Sequence, residues 1–135
     1  MTRVLVDTNV LISVLVFPAG VAAQAFRQVA AEERLALMGQ VIDEAHDVVN
    51  QKWPHLLNAL DQFLTALEFD LLPVAPSDMV IRDATEQPIL DAAVTANVDV
   101  ILTGDKDFHD LAITHPAVMT PRDYLNSLTP PVVGP

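Results

Sequence analysis

The strongest constraint on this chain is a set of short apolar runs that lack polar alternation. "RVLV" (3–6), "LALM" (35–38) and "VDVILT" (98–103) read as strands covered on both faces rather than half-solvated ones. Such strands need helices above and below them, and segments of helical period lie between them. A helix is expected over about 10–16, ending at Phe17, Pro18 and Gly20, and a second over 21–33 with Ala22, Ala25, Phe26 and Val29 on one face. The stretch 40–53 places Val41, Ile42, Ala45, Val48 and Val49 at helical spacing. Pro54 opens a further helix carrying Leu56, Leu60, Phe63, Leu64 and Leu67. A strand over 69–74, a loop to Gln87 and a helix from Pro88 to about Asn97 come next. After the strand at 98–103, the pattern predicts a short helix over 108–112, a last strand at 118–119 and a closing helix, "PRDYLNSL". Strands separated by helices predict an α/β fold with a central, mainly parallel sheet. The 135 residues fit one domain, with a core over about 3–126 and a frayed tail over 128–135.

Composition then narrows the chemistry. There is no cysteine, so disulfides, zinc-thiolate sites and thiol nucleophiles are excluded, and any metal must be held by oxygen or histidine. No apolar run reaches the ~18–20 residues of a membrane span, and "MTRVLVD" lacks the pattern of a signal peptide. A soluble, cytoplasmic protein without a membrane partner is the expectation. Eighteen acids against seven Lys and Arg give a formal net charge of −11. That charge opposes nucleic-acid binding unless cations or a local basic patch intervene. Most of the acids are explained as a solvated surface.

A few acids are not. Ligands of open α/β sheets sit beyond the carboxyl ends of the strands. Asp7 ends the first strand in "VDTNVLIS", and Asp105 and Asp107 follow another in "ILTGDKDF", so all three are expected at one edge of the sheet. Asp99 begins its strand and belongs at the opposite edge in a structural role. Ile89, Leu90 and Ala93 lie three, four and seven residues beyond Glu86, which turns Glu86 inward and leaves Asp91 on the solvated side. By the same geometry Glu44 borders the apolar stripe of its helix, while Asp43 and Asp47 face away. Each acid also has an ordinary structural role open to it, as a helix cap or a first-turn residue. Gathering them in one place is costly, because two unit charges at ~4 Å repel by about 4 kcal/mol at an effective dielectric near 20. A compensating cation is therefore expected. Oxygen ligands select a hard divalent ion, Mg²⁺ or Mn²⁺, and hydrolysis of a phosphodiester is the chemistry such an ion serves.

Together "VDTNVLIS", the acid in "VIDEAHDVV", the acidic-x-Pro-Ile-Leu stretch leading to "VDVILTGDKDF", and "TPRDYL" resemble the PIN domain family, in its bacterial and archaeal toxin-component (VapC-like) branch. The resemblance runs from residue 3 to about 126. It implies a three-layer sandwich and a metal-dependent endoribonuclease that is neutralised by an antitoxin protein. It further implies Asp7, Glu44, Glu86 and Asp105 as catalytic, metal-coordinating residues, with Asp107 as an additional ligand or an acid supporting the ligands from behind. Asn9 would orient Asp7, Thr103 would hydrogen-bond nearby, and Arg82, Lys106 and Arg122 would grip RNA. A homodimer is compatible with it. The family usually has Asp where this chain has Glu86, which makes Asp83 and Asp91 fallback ligands.

Two other classes compete. A phosphoacceptor signalling domain also gathers acids around Mg²⁺, but Asp7 has no adjacent acid and Lys106 lies between acids instead of ending a later strand. A non-catalytic relative, keeping the fold as an RNA- or protein-binding scaffold, accords with Glu86 and the low basicity. His46, His55 and His115 show no zinc-site spacing, and His109 is either a substrate contact or a local cap. Trp53 is expected to pack between helices.

Overall fold

The computed structural model describes residues 2–128. Strand β1 (Arg3–Val6) is followed by helices α1 (Thr8–Val16) and α2 (Val21–Glu32), and β2 (Arg34–Met38) by α3 (Gly39–Lys52), a 3₁₀ turn (Pro54–Leu56) and α4 (Leu57–Ala66). Next come β3 (Asp70–Leu72), α5 (Gln87–Thr95), β4 (Val100–Leu102), α6 (Lys106–His109), β5 (Ala117–Met119) and α7 (Pro121–Leu128). All strand pairings are parallel, in the order β3-β2-β1-β4-β5. Parallel strands are joined by right-handed crossovers. The connections that step from β1 out to β3 therefore lie on one face, and those that return to β4 and continue to β5 lie on the other. This is the α/β sandwich that the sequence predicts, with a wholly parallel sheet.

Burial explains why the strands lack alternation. Val4, Leu5, Val6, Ala36, Leu37, Ile101 and Leu102 are completely or almost completely buried, with helices on both sides. They share one core with Leu11, Phe26, Val29, Val41, Ala45 and Leu60, and with Ile89, Leu90 and Ala93 of α5. Helix α5 ends where Asn97 takes a left-handed conformation (φ 54°). The Asn97 N–H donates to the Val94 carbonyl and the Val98 N–H to the Ala93 carbonyl, a Schellman closure that turns the chain into β4. No single helix among the described residues is long and apolar enough to cross a membrane.

Several boundaries differ from the sequence reading: α1 starts at Thr8 rather than Val10, β3 is Asp70–Leu72 rather than 69–74, and β4 is Val100–Leu102 rather than 98–103. The helix expected over 108–112 occupies Lys106–His109 instead, because Asp105 caps it: its Oδ1 accepts the Asp107 N–H at 2.8 Å. The helix expected from Pro54 onward begins with one 3₁₀ turn and ends at Ala66. The expected tail falls almost wholly outside the described residues; Leu128 ends α7.

Candidate metal centre

Strand order fixes where the site can be. The chain steps outward from β1 through β2 to β3 and then returns to place β4 on the other side of β1. The switch point of the topology thus lies between β1 and β4, and the crevice beyond their carboxyl ends is the binding position of such sheets. Asp7 follows β1 and Asp105 follows β4 closely, so both acids flank that crevice.

Asp7 is 5% exposed. Its Oδ1 accepts the Val10 N–H at 3.1 Å and caps α1, and its Oδ2 accepts the Thr103 hydroxyl. Burial pushes its carboxyl above the usual range, against the lowering effect of those two bonds, and the charges of Asp105 and Glu44 add to the rise. Thr103 is fully buried, and its Oγ1 also accepts the Asp105 N–H at 3.0 Å. A single hydroxyl therefore ties the end of β1 to the turn after β4. His109, half-buried, pairs its Nε2 with the Thr103 carbonyl at 2.8 Å and braces the same turn.

Glu86 stands just before the first turn of α5, makes no side-chain capping bond and is half-buried. Its Oε2 is buried and has no hydrogen-bond partner. Burial is the main reason its carboxyl is pushed up to about 7, with the charges of Asp105, Asp7, Glu44 and Asp83 contributing in that order. Carboxylate oxygens of Asp83, Glu86 and Asp105 all lie within 4.8 Å of one another. Glu44, on the solvent side of α3, accepts the Thr8 hydroxyl at 2.7 Å through Oε2. Among the described residues no arginine or lysine forms an ion pair with any of these acids. The arrangement is an all-oxygen donor set with one orphaned buried oxygen, and those donors suit a hard divalent cation.

Of the four acids singled out from sequence, Glu86 and Asp105 are brought together, in company with Asp83, whereas Asp7 and Glu44 lie outside that group and bear on it through their charge, which helps to raise the Glu86 carboxyl. Asp107 is half-buried in the first turn of α6. Asn9 is exposed, and the groups that hold Asp7 are Thr103 and Val10 rather than Asn9. Arg82, Lys106 and Arg122 are exposed. Asp91 is not the solvated acid expected: its Oδ1 accepts from Ser77 and from Gln87 Nε2, both at 2.7 Å, because the loop after β3 folds back onto that side of α5. Sequence reasoning missed Thr8 and ranked Asp83 only as a fallback. The signal for Thr8 was its place beside Asp7 in the "DTN" triplet, and for Asp83 its position three residues before Glu86.

The amino-terminal edge of the sheet holds structural charges. Asp99 accepts the Arg3 N–H at 2.8 Å, and Asp70 pairs with Arg34 at 2.8 Å and Arg3 at 3.3 Å. A cleft of about 410 Å³ beside Glu33, Arg34, Glu68 and Asp70 lies at that edge, away from the acids. His46 bonds Asp61 at 2.6 Å and the Ile42 carbonyl, and His115 bonds Asn97, so both have structural partners.

Among solved structures, a chain of VapBC2 from Rickettsia felis, crystallised bound to a DNA fragment from its promoter, is similar with a TM-score of 0.64. The identity is 15%, over 88% of this chain and 98% of that chain, a likeness of fold. No curated protein sequence matches. The family model described as PIN domain matches residues 3–107, and the chain belongs to the PIN domain family.

Proposed function

We propose that this protein is a divalent-metal-dependent endoribonuclease and the toxin component of a toxin–antitoxin pair, acting in the cytoplasm as a single PIN domain. The observation that carries the reading is the convergence of uncompensated carboxylates at the switch point, with a buried Glu86 oxygen left unpartnered. Asp7, Glu44, Glu86 and Asp105 are the residues that would hold Mg²⁺ or Mn²⁺, with Asp83 beside Glu86 and Asp107 at the rim. When bound, the ion would activate water towards a phosphodiester and balance charge on the phosphoryl oxygens. The chain's own part is to fix the donors before substrate arrives. Thr103 and the Val10 N–H hold Asp7, and the Asp107 N–H holds Asp105, which limits the reorganisation the site must undergo. Exposed Arg82, Lys106 and Arg122 are the cations available to RNA phosphates. The antitoxin partner is supported by the VapBC2 likeness.

The test is cleavage of a defined single-stranded RNA by the purified protein, with and without chelator. Cleavage should vanish on chelation and return with Mg²⁺ or Mn²⁺. Asp105→Asn should lower it by at least about a hundredfold, a loss of about 2.7 kcal/mol in transition-state stabilisation, while the fold persists. Wild-type rates in that variant would overturn the assignment of Asp105. A wild-type protein that neither binds metal nor cuts RNA would instead mark the chain as a non-catalytic scaffold.

A further inference from the structure

Glu44 is held differently from the other acids. It is exposed on α3 between exposed Asp43 and buried Ala45, and its carboxylate is bonded from across the fold by Thr8 Oγ1 at 2.7 Å. Thr8 is 7% exposed and sits in the first turn of α1, next to Asp7. Fixing a long carboxylate on a helix surface costs rotamer entropy. The partner that offsets this cost is β-branched and stiff at χ1, and it is anchored in the core. The bond is charge-assisted and occupies Oε2, leaving Oε1 free as an acceptor.

We infer that Thr8 is a positioning residue for the metal centre: its hydroxyl aims the Glu44 carboxylate at the ion faced by Asp7 and Asp105. The inference rests on the metal-dependent reading above and adds a residue to it. Octahedral Mg²⁺ tolerates little misplacement of its ligands, so a carboxylate free to swing on α3 is a poorer one. Partners that orient metal ligands from behind are worth about 10–100-fold in affinity. A bond that merely ties α1 to α3 would contribute to stability and leave metal affinity unchanged.

The experiment is calorimetric titration of Mn²⁺ into the intact wild-type protein, Thr8→Val, Thr8→Ser, Glu44→Gln and the double variant Thr8→Val/Glu44→Gln, with circular dichroism as the check on folding. Thr8→Val should bind about tenfold more weakly, Thr8→Ser should stay near wild type, and Thr8→Val should add no further loss to Glu44→Gln. If Thr8→Val fails to fold, Thr8→Ala makes the same comparison with Thr8→Ser. Tight binding by a folded hydroxyl-less variant, or equal loss in both hydroxyl variants, overturns the role of Thr8 and leaves the metal centre standing. No Mn²⁺ binding by the wild type overturns both.

Discussion

Asp7 and Asp105 each serve a helix and the crevice at once. One oxygen of each accepts a backbone N–H as a cap, at 3.1 Å for Asp7 and 2.8 Å for Asp105, so the capping role does not exclude the metal binding proposed above. That dual use is why these two were legible in the sequence: an acid at a strand-to-helix junction has a local reason to be there. Thr8 and Asp83 were less so, because what distinguishes them is a contact or a proximity set by the fold and not by neighbouring residues. Asp91 was misread for the same reason, since helical geometry locates a face but not the loop that covers it. Glu86 carries a prediction of its own. Its folded-state pKa is raised from 4.5 to about 7, so folded and unfolded chains are both protonated at low pH. As pH rises through that window the unfolded chain loses the proton first, and stability falls until the folded group also ionises. For the metal-free protein, Glu86→Gln should therefore raise stability at pH 8 by about 1 kcal/mol, after allowing for screening at a half-exposed group, and give no gain at pH 4. Urea unfolding at the two pH values measures it; a gain confined to pH 4 would refute the account of Glu86.

The loop between β3 and α5 delivers Asp83 and Glu86, and α5 itself holds that loop. Gln87 Nε2 donates to the Met79 carbonyl and to Asp91 Oδ1, both at 2.7 Å, and its Oε1 accepts the Ile81 N–H at 3.1 Å. Ser77 adds a bond to the same Asp91 oxygen, and Thr95 bonds the Pro76 carbonyl. One side chain thus supplies the loop with partners that a neighbouring strand would otherwise provide. Turn-forming residues identified this segment as loop, yet nothing in their order revealed a loop pinned by the helix that follows it. Gln87→Ala should cost on the order of 2 kcal/mol, because three hydrogen bonds are lost at a partly buried site. Amide hydrogen exchange should quicken across residues 77–86 while β1 and β4 keep their protection. Unchanged exchange at Ile81 would show that the loop is held by something other than Gln87.

At the scale of the molecule, continuous apolar strands and intervening helices were enough to predict the parallel sandwich. The strand order was not, and it is the order that brings β4 beside β1 and hence Asp105 towards Asp7. The net charge of −11 bears on this assembly as a whole. Much of it is solvated surface, which added salt screens without regard to the identity of the cation. The crevice is different, because Asp83, Glu86 and Asp105 bring carboxylate oxygens within 4.8 Å of one another, and Asp7 and Glu86 are partly withdrawn from water. A divalent ion that binds there stabilises the folded state by mass action, by about 2.7 kcal/mol at a hundredfold excess over Kd. Mg²⁺ or Mn²⁺ should accordingly raise the melting temperature of chelator-treated protein well beyond NaCl at matched ionic strength. Asp105→Asn should start from an equal or higher metal-free melting temperature, having lost a repelling charge, and should gain much less from the divalent ion. Equal shifts for NaCl and Mn²⁺, or an undiminished Mn²⁺ increment in Asp105→Asn, would mean that the ion acts on the surface charge and not in the crevice.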